Sequence, residues 1–129
     1  MRLKDMPSQQ EILEEDLRDP EFRAEWERTA LARAIANKLV AHRVEHGLSQ
    51  AALGAKLGMK QPAVARLEAG EHNPSLDTLV RVVRVLDIEI VLDLVPPHRR
   101  PKLITKAAQT DHAIERVAAE DYGLVIAAG

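Results

Sequence analysis

Apolar residues follow a helical spacing in the first part of the chain, on two consecutive segments. Leucines lie four residues apart among acidic side chains between residues 8 and 18, which predicts one short helix. Asp19 and Pro20 predict the start of a second helix, because aspartate caps helix N-termini and proline fits the first turn. Phe22 and Trp26 follow four residues apart on one face of this helix, and they are the only phenylalanine and tryptophan in the sequence.

The middle of the chain shows the same spacing on four further segments, which are separated by turns. Leu31, Ile35 and Leu39 lie in one row and predict a long helix over residues 29–46, followed by Gly47 in the usual C-terminal position. Serine caps and terminal glycines or loops bound the remaining segments. These three helices are predicted over residues 49–57, 60–69 and 75–86.

The spacing changes to strict alternation over residues 88–95, which predicts a β-strand. A single strand leaves backbone donors and acceptors unpaired, so it requires a partner. A second copy of the chain across a two-fold axis is the simplest partner, and cover by the C-terminal tail is the alternative. If a second copy is the partner, the apolar residues of the strand are candidate dimerisation residues: Ile88, Ile90, Val91, Leu92 and Leu94.

The C-terminal tail, residues 96–129, starts at a Pro-Pro pair and has a looser composition. Asp111 as a cap, with Ile114 and Val117 on one face, predicts one helix over residues 111–121. The role of the tail stays open between a second partner-binding arm, a dimer brace and a degradation handle.

The composition narrows the function classes. With 129 residues the chain has room for one compact domain and tails. The absence of cysteine excludes disulfides, thiolate zinc sites and cysteine nucleophiles. No apolar run approaches the roughly 20 residues of a membrane-spanning helix, and the N-terminus lacks the apolar core of a signal peptide. We therefore expect a cytoplasmic protein without membrane contact and without a cofactor.

Charge is unevenly distributed although the formal net charge is only -2. Residues 1–28 carry five basic and nine acidic side chains, whereas residues 29–86 carry eight basic and four acidic ones. The basic middle segment suits phosphate binding, and the acidic N-terminal segment suits a basic partner. Ordinary solvated faces are the alternative explanation for both. We divide the chain into an acidic extension (1–28), a domain (29–95) and the tail.

A set of residues in the middle of the chain matches one family in register. The set resembles the Cro and phage-repressor class of DNA-binding domains, with two helices joined by a glycine-centred turn. The resemblance implies a mainly α fold, a five-helix lambda-repressor-like helix-turn-helix domain that binds operator DNA. The matching positions are Leu48, Ser49, Gln50, Leu53, Leu57, Gly58, Val64, Arg66, Leu67, Glu68, Gly70, Asn73, Pro74, Ser75, Leu76 and Leu79.

The same resemblance implies roles toward DNA. Gln50 stands where the family grips a phosphate, and Gln61 and Arg66 stand where it contacts base edges. The alternative is that Gln61 and Arg66 form a solvated polar face. Further candidates are Lys60 and Asn73 for phosphates and Ala63 for a thymine methyl group.

Three positions depart from the family pattern. Gly54 replaces the usual alanine where the two helices approach most closely, at a cost of ~1 kcal/mol in helix propensity. Lys60 replaces the common Ser or Thr cap of the second helix. Pro62 restricts Gln61 before it, which leaves the start of that helix uncertain.

The segments on either side of the domain carry a second resemblance. Residues 19–26 and 86–96 are similar to HigA-type antitoxins of toxin-antitoxin operons. This implies that the chain neutralises a small basic ribonuclease of the RelE class and represses its own operon. The candidate toxin-facing residues are Glu21, Phe22, Glu25 and Trp26, aromatic anchors with an acidic rim. The alternatives are that both rings cover the domain's own core, and that the chain is a stand-alone regulator.

One pattern indicates a different chemistry. His42 to His46 matches the H-x-x-E-H sequence of inverted zinc peptidases. Such an enzyme needs a third metal ligand and a substrate cleft, and this pattern lies at the end of a helix already assigned to the domain. We interpret both histidines as exposed residues and expect neither a metal nor an enzyme activity.

Overall fold

The computed structural model describes residues 6–96, 99, 113–118 and 122–128. In this part of the chain six helices precede three strands, and the predicted mainly helical fold with a helix-turn-helix is confirmed. The helices are α1 (Gln9–Asp16), α2 (Pro20–Arg28), α3 (Ala30–Glu45), α4 (Gln50–Leu57), α5 (Gln61–Ala69) and α6 (Leu76–Leu86). The strands are β1 (Ile88–Leu94), β2 (Ala113–Ala118) and β3 (Tyr122–Ala128).

The helix starts follow the capping residues of the sequence. The side chain of Asp19 accepts a hydrogen bond from the Glu21 N–H, and Pro20 occupies the first turn of α2, as predicted. Ser49 and Ser75 accept from backbone N–H groups of α4 and α6 in the same way. Each of these bonds satisfies an N–H that has no partner within its helix.

Thr29 separates α2 from α3, where apolar spacing continues without a break. Its backbone leaves the helical region (φ −101°, ψ 15°), and its side chain is buried. The Thr29 hydroxyl donates to the carbonyl of Glu25 (3.1 Å) and accepts from the Arg33 guanidinium (2.9 Å). Thr29 therefore joins the two helices at a fixed bend.

The core lies between α3 and the elements that pack on it. Leu39, Leu53, Val64 and Val82, one from each of α3 to α6, are fully buried. Burial of each such side chain contributes about 1.5–3 kcal/mol. Neither α1 nor α2 contains a buried residue, so the extension contributes little to this core.

The strands form one antiparallel sheet in the order β1-β3-β2. β1 pairs along its length with β3, from Ile88 opposite Ala128 to Leu94 opposite Tyr122. The partner of β1 in this structure is therefore not a second copy, the partner expected as the simplest, and the alternative, cover by the C-terminal tail, is confirmed. Ile88, Ile90 and Leu92 pack against the chain's own core rather than outward, and Ile126 of β3 is fully buried.

The helix predicted over residues 111–121 is also corrected. Residues 113–118 form β2, and the remaining positions of that range lie outside the described residues. A segment of only six residues fits either period, and pairing with β3 decides in favour of the strand. Among the helices that the structure describes, none combines the length and apolar character needed to cross a bilayer.

Candidate nucleic-acid interface

α4 and α5 are joined by a tight turn that requires two glycines. Gly58 ends α4 in the left-handed region (φ 70°), where a side chain would be strained. A Cβ on Gly54 would lie 2.5 Å from the Met59 carbonyl oxygen and 3.2 Å from Cγ2 of Val64. The prediction of a close approach at Gly54 is confirmed. These contacts fix the angle at which α5 leaves the turn.

A chain of four side chains links α3, α4 and α5 on one side of this turn. Glu68 of α5 accepts from Arg43 Nε (2.8 Å) at one carboxylate oxygen and from Gln50 Nε2 (2.7 Å) at the other. The Gln50 side-chain oxygen in turn accepts from Gln61 Nε2 (2.7 Å). We call Arg43, Glu68, Gln50 and Gln61 the glutamine network.

The glutamine network orients both amides. The Glu68 side chain is only 6% exposed, so its charge requires the paired donors that Arg43 and Gln50 supply. Gln50 and Gln61 start α4 and α5, so the network also places the two helix N-termini side by side. The remaining amide groups of Gln61 stay available for an external acceptor or donor.

The outer side of α5 carries long basic side chains among small ones. Lys60 is the N-cap of α5 and makes no side-chain capping bond, and the helix begins at Gln61 with Pro62 in its first turn. Lys60 and Arg66 are exposed, and in the described part of the chain no ion pair holds either one. Ala63 is half-buried. Both cations are therefore free to meet an anionic ligand.

Asn73 has a different environment from the other candidates for DNA contact. Its Oδ1 accepts from the Ala32 N–H (3.1 Å), and its Nδ2 donates to the Arg28 carbonyl (2.9 Å). The amide thus bridges the end of α2 and the first turn of α3. A phosphate contact by Asn73 stays a prediction, and the structure gives this side chain an intramolecular role.

Arg43 and Glu68 were missed as candidates for the site, although a signal exists for Glu68. It follows Leu67 and lies four residues after Val64, on the apolar side of α5. A carboxylate on that side requires a buried partner. The partner is Arg43, 25 residues earlier, which sequence spacing does not identify.

The candidate toxin-facing residues lie together on α2. The Phe22 and Trp26 rings are stacked with centroids 6.1 Å apart, and we call this pair the aromatic surface. Phe22 is 37% exposed, and the Arg33 guanidinium lies 3.4 Å from the centre of the Trp26 ring. Neither ring joins the core cluster.

The acidic residues beside the aromatic surface are exposed. Glu25 forms an ion pair with Arg28, and the hydrogen bond from Arg28 lowers the pKa of the Glu25 carboxyl. The side chain of Glu21 is exposed one turn earlier. Both carboxylates are therefore exposed at the rim of the aromatic surface, although Glu25 is already paired with Arg28.

The His42 and His46 rings lie against each other in a tilted arrangement at the C-terminal end of α3, with ring centroids 4.1 Å apart. Burial lowers the pKa of His42, and the nearby charges of His46 and Lys56 lower it further. In the described residues no three metal-ligating side chains come together. The geometry of this pair therefore gives no support to a peptidase centre.

The comparisons with known proteins agree with this geometry. The helix-turn-helix family model matches residues 39–92, from the middle of α3 to β1. An HTH-type transcriptional regulator of Haemophilus influenzae is 35% identical over 78 residues, which cover 60% of this chain and 70% of that protein. The chain belongs to the HTH-type transcriptional regulators. The range matched by the family model contains α4 and α5 in full.

Two further relatives are matched over smaller shares of their own length. Antitoxin HigA1 of Mycobacterium tuberculosis is 35% identical over 82 residues, 64% of this chain and 55% of that protein. The chain thus spans about half the length of that antitoxin. An HTH-type transcriptional regulator of Sinorhizobium fredii is 41% identical over 58 residues, 45% of this chain and 30% of that protein. No solved structure matches the chain significantly.

Proposed function

We propose that this regulator binds double-stranded operator DNA with α5 in the major groove. The observation that carries the proposal is the glutamine network, which holds Gln50 and Gln61 at the adjacent N-termini of α4 and α5. Helix N-termini favour anions, so phosphates of the backbone would meet this edge. Arg66, exposed further along α5, would then contact a base edge.

The roles divide between positioning and sequence recognition. Gln50 and Lys60 would contact phosphates and set the register on the duplex. Gln61, held by Gln50, suits a bidentate contact with adenine, and Arg66 suits guanine. Ala63 offers only a methyl group, which suits the methyl group of thymine.

Exchange of Arg66 for alanine tests the DNA proposal. With a duplex from the region upstream of the gene, we expect Arg66→Ala to lower operator affinity about 5- to 150-fold, while non-specific binding changes little. Lys60→Ala should weaken all sequences equally and reduce the salt slope by about 1. Arg84→Ala, which removes an exposed charge from α6, is the matched control. An unchanged operator footprint with Arg66→Ala would contradict the assignment.

We further propose that the chain is an antitoxin that binds a small basic ribonuclease of the RelE class through the aromatic surface. The support is the exposed Phe22 beside the exposed carboxylates of Glu21 and Glu25, on a helix without buried residues, together with the similarity to an antitoxin. Aromatic anchors with a charged rim are typical of protein interfaces. A stand-alone regulator would have no need of such a surface.

Co-expression with a basic protein encoded beside the gene tests the antitoxin proposal. We expect Trp26→Asp and Phe22→Asp to release the toxin and arrest growth, whereas Leu76→Asp should protect cells like the parent. Leu76 is a matched control because it is 77% exposed and starts α6, where an acidic residue is tolerated. Full protection by both α2 variants would favour the stand-alone regulator.

We also propose a homodimer, on a revised basis. β1 has a neighbour on one edge only among the described strands, so its other edge can pair with a second copy. Val91 and Leu94 remain available for such contact, while Ile88, Ile90 and Leu92 pack on the core. Val91→Lys at the strand centre should shift the chain to the monomer in light scattering, because two like charges would oppose each other. A dimer of unchanged strength would overturn this edge-pairing arrangement.

A further inference from the structure

The bend between α2 and α3 is held by a residue from a distant loop. Thr29 is the N-cap of α3 but makes no side-chain bond to the N–H groups of that helix. Asn73 supplies the missing cap, because its Oδ1 accepts from Ala32 N–H and its Nδ2 donates to the Arg28 carbonyl. One amide thus satisfies an unpaired donor of α3 and an unpaired acceptor of α2. Only a side chain with both functions can do so.

The same loop follows directly on α5. Gly70 ends α5 and lies against the first turns of α3, where an added Cβ would be 3.5 Å from Arg33 Cα and 3.4 Å from Ala36 Cβ. The Arg33 side chain covers Trp26. The aromatic surface and the end of α5 are therefore separated by a single turn of α3, and Asn73 spans that turn.

We propose that Asn73 is a positioning residue that couples the aromatic surface of α2 to the DNA-contacting helix α5. The inference rests on the proposed function. A partner on α2 and a duplex on α5 would each favour the arrangement in which Asn73 bridges Arg28 and Ala32. Two ligands that favour one arrangement strengthen each other's binding, and the effect is reciprocal.

Trp26 provides the readout, because it is the only tryptophan in the sequence and Arg33 lies on its ring. Operator duplex from the upstream region is titrated into the full-length protein, and Trp26 emission and the anisotropy of labelled duplex are followed together. We expect the parent's Trp26 emission to change with the same midpoint as binding. Unchanged Trp26 emission with normal duplex binding would overturn the coupling but not the DNA proposal. Absence of any duplex binding would overturn the DNA proposal and the coupling together.

Asn73→Asp separates coupling from folding. The aspartate still accepts from Ala32 N–H but places an oxygen against the Arg28 carbonyl, so the domain folds while the link to α2 is lost. We expect this variant to bind duplex within about tenfold of the parent with no emission change. Asn37→Asp, the same exchange on the exposed side of α3, is the matched control and should behave like the parent. If Asn73→Asp showed the same emission change as the parent, the proposal would be overturned.

A double-mutant cycle gives a second measurement. A purely structural role of Asn73 would not produce the result expected from it. Trp26→Ala should lower duplex affinity about fivefold in the parent and leave it unchanged in the Asn73→Asp background. Equal effects in both backgrounds would show that Asn73 does not transmit the change.

Discussion

The extension and the domain are both helical, yet different forces hold them. α1 and α2 have well-formed N-caps, and α2 has two local ion pairs, but neither helix has a buried residue. α3 alone buries seven residues, and α4 to α6 close over them. Local caps and surface ion pairs each contribute about 1 kcal/mol or less, whereas each buried aliphatic side chain contributes more. A helix can therefore be clearly specified by its sequence and still depend on a partner for stability.

Truncation of a leucine in each region should give the largest contrast. Leu53 is fully buried at the centre of the core, so Leu53→Ala should lower the free energy of unfolding by about 2–5 kcal/mol. Leu13 is half-buried in α1, and Leu13→Ala should cost less than about 1 kcal/mol. Urea unfolding followed by circular dichroism measures both. Similar losses in both variants would show that the extension belongs to the cooperative core.

Gly54→Ala should have the next largest effect, and its sign is informative. Alanine is the better helix former by ~1 kcal/mol, but its Cβ would meet the Met59 carbonyl at 2.5 Å. We expect the free energy of unfolding, measured by thermal unfolding, to fall by about 1–3 kcal/mol, because the backbone at Met59 must move. Ala55→Gly, next in the sequence and exposed, controls for propensity alone. A stabilised Gly54→Ala variant would show that the turn has room.

Removal of one N-cap from the domain and of an equivalent one from the extension should have the smallest effects on stability. Ser49 caps α4 and Asp19 caps α2, each through one bond of 3.0 Å. Ser49→Ala should lower the free energy of unfolding of the domain by ~1 kcal/mol. Asp19→Ala should speed amide exchange within α2 but leave the main transition unchanged. If Asp19→Ala lowered the free energy of the main unfolding transition, α2 would unfold together with the domain.

The family resemblance identified Gln50 and Gln61 as candidates for DNA contact, and the structure places both at helix N-termini. Their contacts with DNA stay predictions. The resemblance also predicted the close approach of two helices at Gly54, which the structure confirms. Arg43 was missed because its partner Glu68 lies on another helix, and the pairing exists only in the fold. Asn73 was assigned to phosphate from its register, whereas its amide bridges backbone groups more than 40 residues earlier in the chain.

Periodicity, caps and terminal glycines determined the six helices and β1, because each depends on neighbours within a few residues. The tertiary structure alone decided the partner of β1 and the state of residues 113–118. Strand pairing joins residues that are distant in sequence, and a short apolar segment carries no local mark of its partner. The same reason explains the glutamine network and the Asn73 bridge, which both link separate elements through side chains that the sequence places far apart.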